Sequence, residues 1–468
     1  MADGHPSRPK GKMSASLETV IVPPGIADIT AAPMPAHRPD WEEQLLADKK
    51  LLREMAETIG GPFHVMYPDR IVTNIQAFQR VFTRADVAGA IYYGKKANKA
   101  ACVVRACAEA GSGIDVASVG ELKAAMTGGI RGCDLMVTGP AKSNQLLELA
   151  TRAGALIAVD DLDELARLCA IGITSRVLLR VLPPGSDSRL GMTSDEVDLA
   201  LTFVDTSSIR LEGFSFHLSG YEVAPRAELA RALIERCCNA RALGHPITTI
   251  SIGGGFGVDY VPARAWEAFL GGVNPRWFHR DRAPGSYYPY HCPVPGPAML
   301  AAILEHQDLA KLLRRYGIRL AIEPGRALLD SAGSTVFGIQ GVKVRTAHEV
   351  PYLIVTANGT SLSLSEQWFD SEYLPDPVLW PRSAGNLTPT CVGGSSCLEE
   401  DMLSWRRIPL PRPATTDDLL VYPNTAGYQM DSNESSFHDL PIPPKIVLRS
   451  SPDGRQFDWT LDTDGFPI

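Results

Sequence analysis

Three short stretches of this chain carry residues able to act together on an amine, a carbonyl and an anion. The first is Ala88-Gly-Ala-Ile-Tyr-Tyr-Gly-Lys-Lys-Ala-Asn98, an apolar run ending in two lysines. Strand alternation puts Gly94 and Lys96 on one face and Lys95 on the other. An inward lysine needs a partner or a depressed pKa, and a depressed amine is the form that attacks carbonyl carbon. The second stretch, Ser251-Ile-Gly-Gly-Gly-Phe256, runs a strand into Gly253, Gly254 and Gly255. Backbone without side chains can wrap a phosphate with its N–H groups. The spacing matches neither a dinucleotide fingerprint nor a Walker loop, which disfavours nucleotides. The third, Leu320-Ala-Ile-Glu-Pro-Gly-Arg326, delivers a carboxylate, a rigid turn and a guanidinium. Glu323 suits a protonated ring nitrogen, and Arg326 suits an anion. Alone, each stretch has an ordinary reading: a strand-end lysine, a tight turn, a local ion pair.

Together they supply an amine nucleophile, a phosphate cradle and an acid beside an anion clamp, which are the protein parts that pyridoxal 5'-phosphate requires. At these residues the chain resembles the fold type III pyridoxal-phosphate decarboxylases, the group of ornithine, arginine and diaminopimelate decarboxylases. Tyr93, Lys96, Ala97 and Asn98 match the family's Tyr-x-x-Lys-Ala-Asn motif, and Gly113, Asp115, Ser118, Gly120 and Glu121 match the motif that follows. Gly139 and Lys142 fit the next strand end, Arg180 a barrel-strand arginine, and His217 the histidine that stacks on the cofactor ring. Gly253 to Gly255 match the phosphate loop, Glu323, Gly325 and Arg326 the Glu-Pro-Gly-Arg motif, and Tyr428 the tyrosine that bonds the phosphate. The resemblance implies a decarboxylase acting on an amino acid or amino-acid conjugate as a homodimer with shared active sites. Lys96 would form the Schiff base, and Cys397 of Gly394-Ser-Ser-Cys-Leu-Glu-Glu-Asp401 would protonate the quinonoid intermediate across the interface. Its fold is an α/β, (β/α)8 barrel of the alanine racemase-like type, followed by a C-terminal, mostly-β domain.

The departures bear on the substrate. Diamine-forming members place an acid directly after the catalytic cysteine, and a second acid early in the β domain. Here those positions are Leu398 and Asn358, neither of which can stabilise a desolvated ammonium. Glu399 and Glu400 stand next in line, and Arg326 is a further substrate contact. The loop after the histidine reads His217-Leu-Ser-Gly220 instead of His-x-Gly-Ser, which leaves Ser219 as its candidate phosphate hydroxyl. Asn424-Thr-Ala-Gly-Tyr-Gln-Met-Asp431, Glu434-Ser-Ser-Phe-His438 and Tyr287-Tyr-Pro-Tyr290 resemble a branch found in siderophore and other secondary-metabolite pathways, whose members decarboxylate conjugates. Two rival readings are a catalytically inactive regulator, which would need neither Lys96 nor Cys397, and an amino-acid racemase on the same barrel, which would pair the ring nitrogen with arginine instead of Glu323.

The elements that must position these residues follow from periodicity. Short apolar runs at 88–93, 135–137, 156–159, 177–181, 211–216, 249–252 and 320–322 alternate with helical stretches, which implies βαβ units and a parallel sheet. About eight units over roughly 260 residues suit a barrel, with a doubly wound sheet as the competitor. The expected organisation is a disordered lead-in over 1–39, a helical segment over 40–61 packed on the other domains, a barrel over 62–330 and a β domain over 331–468. Residues 260–297, rich in Pro, Trp, Tyr and His, read as an irregular βα-loop insertion. The chain has 468 residues, a net charge of −8 and 45% apolar residues, which describe a soluble globular enzyme with no footprint for nucleic acid. Its apolar runs are too short for a membrane helix. Nine cysteines without CxxC pairs, and an N-terminus without a signal peptide's apolar core, fit a cytoplasmic protein. No cluster suggests a metal.

Overall fold

The computed structural model describes residues 25–463 apart from 205–207, 365, 367–370, 452 and 455. Eight parallel strands close into a barrel: Gly89–Gly94, Gly113–Val116, Leu135–Val137, Leu156–Val159, Ser175–Arg180, Ile209–Ser215, Thr249–Ser251 and Arg319–Ile322. Helices on its outside bury apolar faces against the strands, as in Val119–Thr127, where the Ser118 hydroxyl accepts from the Glu121 N–H. That closure excludes the doubly wound sheet. The strand Gly113–Val116 has too few apolar residues to stand out by periodicity; only its Gly-x-Asp pattern marks it.

A second, mostly antiparallel sheet follows, built on the long strand Gly333–Ala347 and its partner Val350–Ala357. The short strand Phe63–Met66 belongs here and not to the barrel. It runs antiparallel to Gly333–Ala347 and parallel to Lys445–Ser450. The expected barrel start at residue 62 is therefore displaced, because three apolar residues and a histidine carry no signal of which sheet they join. The N-terminal segment is two helices, Asp40–Ala47 and Lys49–Ile59, since the Asp48 side chain accepts from the N–H groups of Lys50 and Leu51 and starts the second. Trp41, Leu45, Leu52 and Met55 pack with Trp380 and Leu448 of the β sheet.

Of the expected lead-in, residues 1–24 lie outside the described residues. From Gly25 onward the chain differs from a disordered lead: Ile29 and Met34 are fully buried, and the Ala31 and His37 N–H groups donate to the carbonyls of Arg407 and Tyr260. The 260–297 segment also differs from an irregular loop. It contains the helix Ala263–Gly272, and its aromatics form a wedge in which Tyr290 stacks on Tyr260 and meets Tyr373 of the β domain edge-on.

His64, central in the shared strand, is buried with Nδ1 against Thr335 Oγ1 at 2.9 Å. Burial, aided by the Lys445 charge, pulls its pKa down to about 3. The unfolded chain binds that proton near pH 6.5, so stability is lost as pH falls from there toward 3. At pH 5 the loss is on the order of 2 kcal/mol, at about 1.36 kcal/mol per pH unit. Urea midpoints at pH 7.5 and 5.0 should show it, and His64→Gln should remove that part of the difference.

Candidate active site

The C-terminal ends of the barrel strands enclose a cavity of about 350 Å³ lined by Lys96, Asp115, Thr138, Arg180, Ser215, His217 and Glu323 among others. Lys96 reaches it from a 3-10 turn, Lys95–Ala97, directly after the first barrel strand. The turn sets the outcome that strand alternation was expected to set: Lys96 lies open to the cavity while Lys95 is buried. The β domain clamps this turn from outside. Tyr428 N–H donates to Ala97 O at 2.7 Å, Asn98 Nδ2 donates to Ala426 O at 2.8 Å, and Lys99 N–H donates to Asp431 Oδ2 at 2.6 Å. The segment Asn424–Asp431 thus holds the lysine in place.

The amine is not in the depressed state expected of it. Burial disfavours its charge, but Tyr428 and the Asp115 and Glu323 carboxyls outweigh that and leave the Lys96 pKa raised. The carboxyls in turn are pushed up. Burial, then the neighbouring Glu323, takes Asp115 to about 8, although its Oδ1 accepts from Thr138 Oγ1 at 2.6 Å. Burial likewise raises Glu323, whose Oε1 accepts from Ser251 Oγ at 2.6 Å. Ser251 Oγ accepts in turn from Gly253 N–H at 3.3 Å, linking the glycine run to the carboxylate. His217 is neutral, with burial and then Lys96, Arg180 and Arg226 lowering its pKa to about 4. Its Nδ1 accepts from Gly254 N–H at 3.3 Å, so the proton sits on Nε2.

The glycines are required by close approach. A Cβ on Gly253, where φ is +69°, would lie 2.6 Å from His217 Nδ1, and one on Gly254 would lie 2.7 Å from Glu323 O. A Cβ on Gly325 would lie 2.8 Å from Tyr428 Oη and 3.1 Å from Ala97 Cβ, which puts the Glu-Pro-Gly-Arg turn, Tyr428 and the lysine turn together. Ser219 is exposed. Arg326 is buried between the rings of Tyr288 and Tyr428, with Glu366 Oε1 at 3.2 Å and Gln429 Oε1 at 2.9 Å from its nitrogens. Arg180 meets Asp160 at 3.2 Å. Lys142 is buried against Glu164 at 3.0 Å.

Cys397, Leu398, Asn358 and Glu399 do not line this cavity. Leu398 and the residues flanking Cys397 border a second hollow of about 480 Å³ on the β domain, with Arg282, Thr360, Ser361 and Phe437. The Asp401 carboxylate shapes this loop by accepting from the N–H groups of Ser361 at 2.7 Å and Ser396 at 3.0 Å. Cys397 Sγ is 3.2 Å from His438 Nε2. Asn358 is engaged by Gly338, whose N–H donates to its Oδ1 at 2.9 Å. Glu399 pairs with Arg280 at 3.0 Å and Glu400 with Arg282 at 3.9 Å. Sequence reasoning missed Thr138, Ser215, Arg226 and Glu366; none stands in a motif with an obvious spacing, and each matters only through the fold.

The cavity fits pyridoxal 5'-phosphate. It joins an accessible amine, a neutral imidazole and a buried carboxyl to the glycine run, and the buried Ser215 Oγ on its wall has no hydrogen-bond partner among the described residues. A barrel with this lysine and this glycine run, carrying a β domain, defines a class of pyridoxal-phosphate enzymes. Residues 69–275 match the family described as pyridoxal-dependent decarboxylase, pyridoxal binding domain. The chain is 36% identical to uncharacterized protein y4yA of Sinorhizobium fredii over 86% of its own length and 91% of that protein's. It is 28% identical to a diaminopimelate decarboxylase of Actinosynnema pretiosum subsp. auranticum, over 85% and 86%. The fold superposes on diaminopimelate decarboxylase from M. jannaschii, solved with L-lysine, with TM-score 0.70 at 19% identity over 87% and 90% of the two chains. The chain belongs to the fold type III pyridoxal-phosphate-dependent decarboxylase family, and its cofactor is pyridoxal 5'-phosphate.

Proposed function

We propose that this protein is a decarboxylase of an amino acid or amino-acid conjugate whose distal group is not a free ammonium, with Lys96 as the residue that binds the cofactor covalently. The observation that carries the reading is the single cavity shared by Lys96, Asp115, His217 and Glu323. The bound cofactor supplies an electron sink for the pair of electrons left when carbon dioxide departs. Glu323, fixed by Ser251, holds a proton at the ring nitrogen and so deepens that sink, where an arginine would leave it shallow. His217, uncharged and with its orientation fixed by Gly254, would stack on the cofactor ring. Lys96 would hold the cofactor through its amine.

Cys397 donates the proton to the carbon that has lost carbon dioxide, and it does so in the partner's site. Its place on an exposed β-domain loop away from its own chain's Lys96 cavity supports this. Carbon dioxide release from a panel of L- and D-amino acids and their acyl conjugates identifies the substrate. With that substrate, Lys96→Ala and Cys397→Ala chains are each inactive, and mixing them restores about a quarter of wild-type activity. Random exchange makes about half the dimers mixed, each with one intact site of its two. Full silence on the panel, or no recovery once exchange is confirmed, contradicts the reading.

A further inference from the structure

Cys397 does not stand alone on its loop. It and His438 are both exposed, and its Sγ lies 3.2 Å from His438 Nε2. The Cys397 N–H donates to the same nitrogen at 3.5 Å. Nε2 therefore carries the lone pair, the ring proton sits on Nδ1, and the thiol directs its hydrogen at the imidazole. Among the described residues no other cysteine has a histidine within hydrogen-bonding distance; Cys292 and Cys391 donate to backbone carbonyls.

The backbone bends to make this contact. His438 and the following Asp439 hold φ at +62° and +56°, left-handed values that residues other than glycine adopt at a cost. Both belong to the 3-10 turn Phe437–Asp439, in which the Ser436 carbonyl accepts from the Asp439 N–H at 2.8 Å. The Phe437 ring meets the imidazole edge-on with centroids 4.3 Å apart. Phe437, Ser396 and Leu398 all border the hollow of about 480 Å³, so the strained turn and the ring contact aim one nitrogen at one sulfur on its rim.

A cysteine that gives up its proton becomes a thiolate, and an imidazole within reach is a partner that stabilises one. We propose that His438 is the positioning residue for Cys397: it aims the thiol, stabilises the thiolate that forms and returns the proton. Decarboxylation puts a hydrogen where the carboxylate was and so takes up one proton per turnover. The S–H bond of Cys397 breaks, its proton joins the electron pair left on carbon, and sulfur keeps the S–H pair. The ring takes up a solvent proton, donates from Nε2 to the sulfur and passes that proton on, which restores the thiol and the neutral imidazole. The inference rests on the reading of Cys397 as the proton donor.

The test has two arms. In cofactor-free protein at pH 7, alkylation of the Cys397 peptide by iodoacetamide is followed by mass spectrometry. The thiolate is the form that reacts, so His438→Gly should slow alkylation about fivefold or more. In the loaded enzyme with its preferred substrate, His438→Gly should lower kcat about tenfold or more and keep KM within about twofold. Glycine suits the left-handed backbone, so strain is not the cause of either loss. Free imidazole should restore part of kcat in the glycine variant and do nothing in the wild type. His438→Gln, whose amide N–H can still donate to the sulfur, should fall between the two. Unchanged alkylation, or a loss of kcat that imidazole does not restore, would make His438 a prop for its loop and overturn the proposal. If the glycine variant does not fold, alkylation of the glutamine variant decides: slowed supports, unchanged contradicts. An inactive Cys397→Ala beside a fully active His438→Gly would sink this inference and leave the donor standing. An active Cys397→Ala would remove the donor, and this inference with it.

Discussion

Lys96→Ala will abolish the covalent hold on the cofactor. The wild type should show an absorbance band at the violet edge of the visible, and borohydride should fix the cofactor to the peptide containing Lys96. The alanine variant should show neither, while Lys95→Ala should keep both, because Lys95 is buried outside the cavity. The raised pKa of Lys96 adds a second expectation. Only the neutral amine attacks the aldehyde, so the rate of cofactor uptake should climb steadily from pH 7 to 9. Asp115→Asn removes one of the acids that hold the ammonium and should speed uptake at pH 7. A trappable adduct surviving in Lys96→Ala would show that another amine does the work.

Free ornithine, lysine and diaminopimelate will be poor substrates. By the resemblance, Leu398 and Asn358 stand where diamine-forming members would carry acids for a distal ammonium, and the structure removes the nearest substitutes. Glu399 and Glu400 face Arg280 and Arg282 of the 260–297 segment, and the Asn358 amide is occupied by Gly338. Loss of a charge-assisted contact to a buried ammonium costs on the order of 2–5 kcal/mol. At about 1.4 kcal/mol per tenfold, that is roughly 30-fold to several-thousand-fold in kcat/KM. The hollow beside Leu398, with hydroxyls from Thr360 and Ser361 and the ring of Phe437, has room for a larger group. A kcat/KM above about 10⁴ M⁻¹s⁻¹ on any of the three, within the ordinary enzyme range, would refute this. Arg280→Ala with Arg282→Ala frees both glutamates and should narrow the deficit.

The candidate cofactor residues were legible in the sequence because the proposed chemistry demands particular types in chain order: Lys96, Asp115, His217, the three glycines and Glu323 all come to the same barrel mouth. The barrel was legible for the same reason its strands are buried on both faces, which makes them short continuous apolar runs. What failed were long-range choices. Phe63–Met66 reads as a strand, but its partners lie some 270 and 380 positions away in the β domain, and nothing local selects them. Lys96 faces the cavity by way of a 3-10 turn that no alternation argument contains, and its pKa follows from two distant carboxyls. Arg326 reads as a free anion clamp until Glu366 is seen against it, and Arg226 reads as an ordinary helix arginine until its burial is seen. The aromatic 260–297 segment looked irregular because its side chains pack between domains and not along one helix face.

One measurement separates decarboxylation from both rivals: proton NMR of the preferred substrate with the loaded enzyme in deuterated water. A decarboxylase releases carbon dioxide and leaves a product with one deuteron on the carbon that bore the carboxylate. A racemase would keep the carboxylate and exchange only the α-proton, and an inactive regulator would change nothing. Decarboxylated, singly deuterated product from the wild type, and none from Lys96→Ala, is the expected result. A retained carboxylate with a deuterated α-carbon would contradict it.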